Sequence, residues 1–512
     1  MKPKAEFLSL PEELLSYILS FLPWRDILRC TSVCKALRLT YISSSELQYL
    51  VELGGQCLLP VPVTDFDNCI SIYERLQLLR DKAHTWFKFD LHSFQTVSIP
   101  EQIFHRGTSL ADGHLCVWEK DEDFRHSARV FPILPKPSRK AIEYHWSPGS
   151  LCSVPNACIV DVLMEPMQNL MAIAYVIDHD TLLERRFYVD LRALDGDGIH
   201  PRAAGQTLFV SVLTTQDNRS ATENLKLKCF GKHIALQCSP LVYDGSGAMW
   251  WLQLWNWRHS TTSNSNLRDT ILFDQSIGFC FVGNDRLLIA SDHLKLYSIE
   301  DMSREPQLLA SYLMPVSVMG IQCHLDDIAH SSQDRQTMWT SDPENRLLSL
   351  VTYKPRFILV ISTRIFFDLS RFGETPITIP WTSWGPPNAR AFQDPWDAIV
   401  CGNRVVQPFR VVDEMRVSRG YSLYMMDFSP LAVERHRGLG RVVKESIMTK
   451  IPESEEIITT SMPYVEVASD RVFPPSMDLT VVWVEKDRIY LAKLVRLPAD
   501  MLRIDQFEIV EV

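Results

Sequence analysis

A short turn-and-strand motif recurs along most of this 512-residue chain: a Gly, Asn or Asp turn is followed directly by a short apolar strand. It occurs at residues 112–115, 231–234, 284–287 and 402–405. Two longer stretches, beginning at Phe230 and Val282, share the same order of turns and strands at an offset of about 43 to 54 residues. From about Phe94 onward, such β-rich runs replace helical periodicity. We therefore predict that residues 94–512 form an all-β domain.

The size of the repeat indicates which β architecture forms. A strand meander that recurs every ~40 to 50 residues has the size of one β-propeller blade, and about 420 residues would hold about six to eight blades. The regular Gly-His and Trp-Asp signatures of the best-known propeller family are missing, so we predict a degenerate propeller. The dense periodic leucines of leucine-rich repeats are also missing, which argues against a solenoid.

Two aromatic segments stand out in the β region. The first contains Trp250, Trp251, Trp255 and Trp257. Alternating aromatic residues along one strand usually fill the space between packed sheets, although an exposed binding surface is the alternative. The second, at residues 381–387, reads Trp-Thr-Ser-Trp-Gly-Pro-Pro and is expected to be a rigid turn at a blade junction or rim.

The first 55 residues have helical periodicity instead. Ser9 and Glu12 stand at capping-box spacing around Pro11, which predicts a helix start. Apolar residues then recur at spacings of three and four until a proline: Leu14, Leu15, Ile18, Leu19 and Leu22. A second helix is predicted from Asp26, and a third follows Ser43–Ser45 and ends at the pair Gly54–Gly55 with a left-handed glycine cap. Helices this short bury little surface, so part of the apolar set should contact a partner chain.

The order and spacing of these residues resemble the F-box. The matching positions are Leu10-Pro11, Glu13-Leu14-Leu15, Ile18-Leu19, Leu22, Asp26-Ile27-Leu28-Arg29 and Val33-Cys34-Lys35. The resemblance implies that the segment binds a Skp-family adaptor and, through it, a cullin. The implied adaptor-binding residues are Leu10, Pro11, Leu14, Ile18, Leu22, Val33 and Cys34. Leu37 departs from the pattern, since many F-boxes have tryptophan there. The alternative is an ordinary helical core, and part of the stripe must in any case face the module's own interior.

A further helical stretch is predicted between the two regions. Ile72, Leu76, Leu79 and Ala83 recur at helical spacing. In F-box proteins such helices often join the adaptor-binding module to the substrate-binding domain, and this joint resembles one found in fungal members of the family. The predicted domains are an F-box at residues 1–55, a helical connector at 56–93 and the all-β domain at 94–512.

Composition and motifs argue against several classes of function. The net charge of −10 offers no general attraction for nucleic acid or for anionic lipid. Nothing approaches the ~20 apolar residues of a membrane span. The 12 cysteines are scattered, as expected in a reducing compartment, so cytoplasmic or nuclear localisation is predicted. Phosphate-loop, dinucleotide, nucleophile-elbow and zinc-helix motifs are missing, so we predict no catalytic, cofactor or metal site.

These observations predict a non-catalytic protein. It would be the substrate-recruiting subunit of an SCF-type ubiquitin ligase, holding an unidentified protein substrate near the conjugating enzyme and so raising its effective concentration. One alternative is an F-box scaffold that acts outside the ligase. The other is a propeller hydrolase whose catalytic residues come from separate blades.

Overall fold

Four helices form an N-terminal module at residues 7–55: α1 Glu12–Ser20, α2 Trp24–Val33, α3 Lys35–Ser43 and α4 Ser45–Gly55. A 3₁₀ turn at Phe7–Ser9 precedes them. The computed structural model describes residues 7–61, 70–104, 108–120, 126–135, 141–178, 185–196, 198–210, 225–238, 248–271, 277–316, 318–322, 338–352, 357–368, 375–392, 398–412, 418–435, 440–450, 457–473, 482–485, 487–496 and 502–512.

The helix boundaries differ from the expected ones. The capping box at Ser9 is wrong, because α1 follows Pro11 directly and no side chain caps it. The second helix begins after Pro23, whose fixed φ also favours a helix start. The expected helix from Asp26 onward is two helices, since Cys34 has extended backbone with φ −154° and ψ 162°. Ser44 caps α4 by accepting a hydrogen bond from the Leu47 amide, and the helix begins at Ser45, the last residue of the serine run.

A short strand and one long helix lead to the β region: β1 Leu58–Pro60 and α5 Ile72–Lys88. A capping box between Ser71 and Glu74 begins α5, and Phe89 ends it in the left-handed conformation at φ 44°. The helix predicted in this stretch is therefore present. Strand β2 Gln95–Phe104 follows.

The remaining chain forms a series of mainly antiparallel sheets, or blades. Blade 1 contains β3 Thr108–Ala111, β4 His114–Lys120, β5 His126–Pro132 and β6 Tyr144–Trp146. After helix α6 Pro148–Leu151, blade 2 contains β7 Ala157–Glu165, β8 Leu170–Asp178, β9 Arg185–Ala193 and β10 Thr207–Phe209. Blade 3 contains β11 Leu225–Phe230, β12 His233–Cys238, β13 Ala248–Asn256 and β14 Asn266–Ile271. Blade 4 contains β15 Gly278–Phe281, β16 Arg286–Ala290, β17 Leu294–Ser298 and β18 Gln307–Tyr312.

The last three blades carry insertions. Blade 5 contains β19 Val318–Gln322, β21 Leu347–Thr352, β22 Ile358–Ser362 and β24 Ala389–Phe392, with β20 Trp339–Ser341, β23 Ile377–Ile379 and helix α7 Trp381–Asn388 inserted. Blade 6 contains β25 Ile399–Cys401, β26 Arg404–Val412, β27 Ser418–Asp427, β28 Arg441–Val443 and β31 Tyr464–Ala468, with helix α8 Pro430–Arg435 and the hairpin β29 Ile447–Lys450 and β30 Ile457–Thr460 inserted. Blade 7 contains β32 Val482–Glu485, β33 Arg488–Arg496 and β34 Leu502–Glu511.

The blades close into a ring. Strand β2 pairs antiparallel with β34, so residues from both ends of the region complete blade 7. First strands of neighbouring blades lie side by side, as between β3 and β7 and between β7 and β11, and are therefore innermost. An apolar core fills the space between each pair of neighbouring blades, including blades 7 and 1. The architecture is a seven-bladed β-propeller, which confirms the predicted fold class.

The repeated motif marks the same place in each blade that contains it. All four segments contain the turn between the first and second strands of a blade, namely of blades 1, 3, 4 and 6. The tryptophan cluster is buried: Trp250 lies in the core between blades 3 and 4, and Trp251, Trp255 and Trp257 lie in the core between blades 2 and 3. The sheet-filling interpretation is confirmed.

The second aromatic segment has a different backbone from the expected turn. Residues 381–388 are helix α7, although both prolines lie in its last turn. Trp384 is fully buried between blades 4 and 5, edge-to-face with Tyr312 at 5.6 Å between ring centroids. The segment does lie at a blade junction, and burial of this ring outweighs the poor helix propensity of the sequence.

One turn of blade 1 is hydrogen-bonded to blade 7. The carboxylate of Glu485, in blade 7, accepts hydrogen bonds from the amides of Asp112 and Gly113, the latter at 3.1 Å. Gly113 has φ +70°, and a Cβ there would lie 2.3 Å from the carbonyl oxygen of Leu134. The turn therefore requires glycine.

We predict that Gly113→Ala lowers the free energy of unfolding by about 2–4 kcal/mol, through backbone strain and the clash with a carbonyl oxygen. The measurement is the urea midpoint, with Gly149→Ala as the matched control, because a Cβ at Gly149 has nothing within 4 Å. Equal midpoints for the two variants would contradict the role assigned to this turn.

Candidate binding surface of the helical module

The helical module has a small core of its own. Its buried apolar side chains are Leu19, Ile27, Leu37, Leu47 and Val51. Leu15 is also buried, at 4% exposure, one residue from the outward-facing Leu14. Leu37 therefore packs inside the core of the module, at the position where many F-boxes have the larger tryptophan. The apolar pattern of α1 therefore divides into an inward and an outward set, a division that periodicity alone left open.

The outward set forms a stripe along α1. Leu14, Tyr17, Ile18 and Phe21 follow at positions i, i+3, i+4 and i+7, and are 48%, 62%, 40% and 70% exposed. The rings of Tyr17 and Phe21 stack edge-to-face with centroids 4.9 Å apart. An amphipathic helix buries one apolar stripe, so a second one facing solvent is typical of a binding surface.

All seven implied adaptor-binding residues are accessible to some degree. Pro11, Leu14, Ile18, Leu22 and Val33 are exposed, and Leu10 and Cys34 are half-buried. Leu22 is 36% exposed and Val33 is 75% exposed. This accessibility is what a partner contact requires. Adaptor binding by these residues stays a prediction.

Six further large apolar residues of the module face solvent and were not among the implied set: Tyr17, Phe21, Leu39, Ile42, Phe7 and Leu8. The signal for the first two was present in the sequence, since Tyr17 and Phe21 form a second stripe at helical spacing together with Leu14 and Ile18. Leu39 and Ile42 lie on α3.

Exposed apolar surface is concentrated in this part of the molecule. Among the described residues, 10 of the 21 exposed large apolar side chains belong to residues 7–42. Scattered single apolar residues are normal on a protein surface, but such a concentration marks an interaction site. The helical module is therefore the best candidate for a binding surface among the described residues.

Helix α4 joins the module to the propeller. One side of the helix belongs to the module's core, and the other packs Tyr49 and Leu53 against Leu76 and Leu79 of α5. Trp339 of blade 5 packs against the same cluster. Helix α4 therefore packs both in the core of the module and against the connecting helix α5.

Close packing of α4 against both α2 and the propeller explains its terminal glycines. A Cβ at Gly54 would lie 2.2 Å from the Trp24 side chain, and one at Gly55 would lie 2.7 Å from Leu431 of α8. The expected left-handed glycine cap is wrong, because the left-handed residue at this end is Cys57, with φ 55°. The glycines permit close packing instead.

Two more contacts fix the joint. Strand β1 pairs antiparallel with β20, and the Asp342 amide donates to the Cys57 carbonyl at 2.9 Å. Burial raises the pKa of the Cys57 thiol to about 12, so it stays neutral. Trp86 of α5 is fully buried between blades 6 and 7. The Arg404 guanidinium lies over its ring at 4.8 Å.

These contacts lie on one face of the propeller. Strand β20 belongs to a connection between first and second strands, Arg404 directly follows another such connection, and α8 belongs to a connection between third and fourth strands. In an antiparallel meander both kinds of connection lie at the same end of the blade. The second strands of the blades end at the opposite face of the ring, away from these contacts.

One half-buried carboxylate bridges two blades on the inner ring. Asp161 of β7 accepts hydrogen bonds from the amides of Val162 at 2.9 Å and Leu227 of β11 at 2.7 Å. Burial raises the pKa of this carboxyl group to about 6, above its ordinary value of 3.8.

A folded-state pKa above the unfolded one means that the folded protein holds the proton more tightly. Wild type should therefore lose stability relative to Asp161→Asn as pH rises from about 4 to about 6, with no further loss above that window. Urea midpoints of both proteins at several pH values test this. Parallel curves for the two proteins would contradict it.

Within the described residues, no group of three or more His, Cys, Asp or Glu side chains is placed to hold a metal ion. In the same part of the chain, no helix has the length and apolarity to span a membrane.

Residues 7–40 match the family model described as F-box-like. No curated protein matches the chain. Among solved structures, Pyrococcus horikoshii acylaminoacyl peptidase is 10% identical with a TM-score of 0.35, covering 79% of this chain and 51% of that one. A puromycin hydrolase is 11% identical with a TM-score of 0.31, covering 73% of this chain and 50% of that one. A chain of the COPII outer coat vertex is 9% identical with a TM-score of 0.30, covering 82% of this chain and 100% of that one.

This chain thus spans about half the length of the first two structures. The propeller assignment rests on the observed sheet topology alone, because TM-scores this low carry no argument about the fold. The predicted resemblance is confirmed by the family match at the N-terminus and by the closed ring of blades that follows. The chain therefore combines an F-box-like segment with a C-terminal seven-bladed β-propeller.

Proposed function

We propose that the protein is the substrate-recruiting subunit of an SCF-type ubiquitin ligase. The F-box-like segment binds a Skp-family adaptor and, through it, a cullin, and the propeller binds a protein substrate. The observation that carries this proposal is the outward apolar stripe of α1, which lies inside the segment that matches the F-box-like family. A Skp-family adaptor would bury this stripe together with Val33 of α2.

The joint between module and propeller supports a role in positioning. Because α4 packs on α8, β1 pairs with β20 and Trp86 lies between two blades, the outward stripe of α1 has a defined position relative to the ring. A substrate held by the propeller would then stay near the conjugating enzyme, which raises its effective concentration without chemistry by this chain. The protein would be a non-catalytic subunit.

Co-purification tests the proposal and separates it from the scaffold alternative. Purified full-length protein is mixed with a Skp-family adaptor and then with a cullin, and the complexes are resolved by size-exclusion chromatography. A ternary complex is the expected result. A binary complex that excludes cullin would instead favour a scaffold outside the ligase, and no complex with the adaptor would overturn both. Cytoplasmic or nuclear localisation stays a prediction, which imaging of the tagged protein tests.

A further inference from the structure

The exposed faces of α2 and α3 carry a local excess of positive charge. Residues 27–43 contain Arg29, Lys35 and Arg38 and no Asp or Glu, whereas the whole chain has a net charge of −10. All three side chains are exposed. Arg29 contacts Asp26 at 2.8 Å, yet its side chain remains 79% exposed, and water and salt screen such a pair strongly.

Each of these cations stands one helical turn before an exposed apolar residue. Arg29 precedes Val33, Lys35 precedes Leu39, and Arg38 precedes Ile42, each by four residues. Residues four apart are neighbours on a helix surface. The three apolar side chains are 75%, 64% and 56% exposed. Charge and apolar surface therefore belong to the same outward faces of α2 and α3.

This arrangement has the composition of a protein interface, with apolar contacts flanked by charges of one sign. Proteins that bind nucleic acid typically carry clustered cations, a positive surface and aromatic rings that stack on bases. Here the whole chain is acidic, and the cations alternate with aliphatic side chains. The surface is also continuous in sequence with the apolar stripe of α1. The partner surface should therefore combine apolar and carboxylate side chains.

We propose that α2 and α3 bind an acidic surface of the adaptor, and that Arg29, Lys35 and Arg38 steer its association. The inference rests on the proposed adaptor binding and specifies the chemistry of the partner surface. Charges at the rim of an interface act mainly on the association rate and on its salt dependence, whereas buried apolar contacts act mainly on dissociation.

The test compares association rates of a purified Skp-family adaptor with three full-length proteins: wild type, Lys35→Glu/Arg38→Glu, and Lys232→Glu/Lys444→Glu. The last is the matched control, since it makes the same change in net charge at exposed sites of the propeller. Rates are measured by stopped-flow fluorescence at low and at high salt, where the Debye length falls from about 10 Å at 0.1 M to about 3 Å at 1 M.

At 0.1 M salt, the α3 variant should associate about 10-fold more slowly than wild type, and the difference should shrink to less than about 2-fold at 1 M. The control should associate at nearly the wild-type rate, and dissociation should change little in either variant. Equal slowing in both variants, or wild-type rates that do not depend on salt, would overturn the inference while leaving adaptor binding intact. The inference would also be overturned if a single-stranded RNA homopolymer binds the wild-type protein and competes with the adaptor. If the wild-type protein does not bind the adaptor at all, the proposed function is overturned as well.

Discussion

Replacing Leu14 and Ile18 together with aspartate is expected to weaken adaptor binding by about 100-fold or more, since truncation of a central apolar contact costs about 2 kcal/mol or more at each position. Both side chains face solvent in the free protein, at 48% and 40% exposure. The free energy of unfolding should therefore change by only about 0.5 kcal/mol per substitution. Isothermal titration calorimetry with the purified adaptor, paired with circular dichroism of each protein, measures the two effects.

Two controls separate binding from folding. Met249→Asp/Met448→Asp introduces the same charges at exposed apolar sites of the propeller, 55% and 72% exposed, and should leave adaptor affinity unchanged. Leu15→Ala/Leu19→Ala removes the buried neighbours and should destabilise the module by about 2–5 kcal/mol per site. A folded Leu14→Asp/Ile18→Asp protein with wild-type affinity would show that the stripe of α1 is not the adaptor surface.

Trp86→Ala is expected to destabilise the propeller itself by about 3–5 kcal/mol, although the residue belongs to the connecting helix. The ring is fully buried in the core between blades 6 and 7, and it supports the guanidinium of Arg404. Removing it leaves a cavity and takes away the aromatic face on which that cation lies. The urea midpoint of the full-length protein, followed by tryptophan fluorescence and by circular dichroism, should fall.

Matched substitutions show whether burial is the cause. Trp86→Phe keeps much of the apolar volume and should recover part of the lost stability. Tyr73→Ala removes an aromatic residue of the same helix that is 60% exposed, and should change stability by less than about 0.5 kcal/mol. If Trp86→Ala unfolds at the same urea concentration as Tyr73→Ala, then α5 is a linker and does not belong to the propeller.

The candidate site was predictable in outline because it depends on local pattern. The order and spacing of Leu10-Pro11, Leu14, Ile18 and Leu22 are enough to indicate an F-box-like segment, and the family match to residues 7–40 agrees. Periodicity did not divide Leu14 from Leu15, since both lie within one broad apolar pattern. Only the folded structure shows that Leu15 is buried and that Tyr17 and Phe21 are exposed.

By itself, the sequence determined the class of each region. Helical spacing before residue 94 and turn-and-strand spacing after it are local properties, because side-chain period and turn chemistry depend on neighbouring residues. The repeat of about 40 to 50 residues then indicated a propeller, since that length is one blade.

Tertiary structure decided how many blades form and what closes them. The pairing of β2 with β34 joins segments about 400 residues apart, and hydrogen bonds between strands leave no trace in the local pattern of either one. The helix at 381–388 and the close approach of Gly55 to Leu431 were decided in the same way. In each case the deciding contact lies far away in sequence, so burial and backbone geometry outweighed the preferences of the local residues.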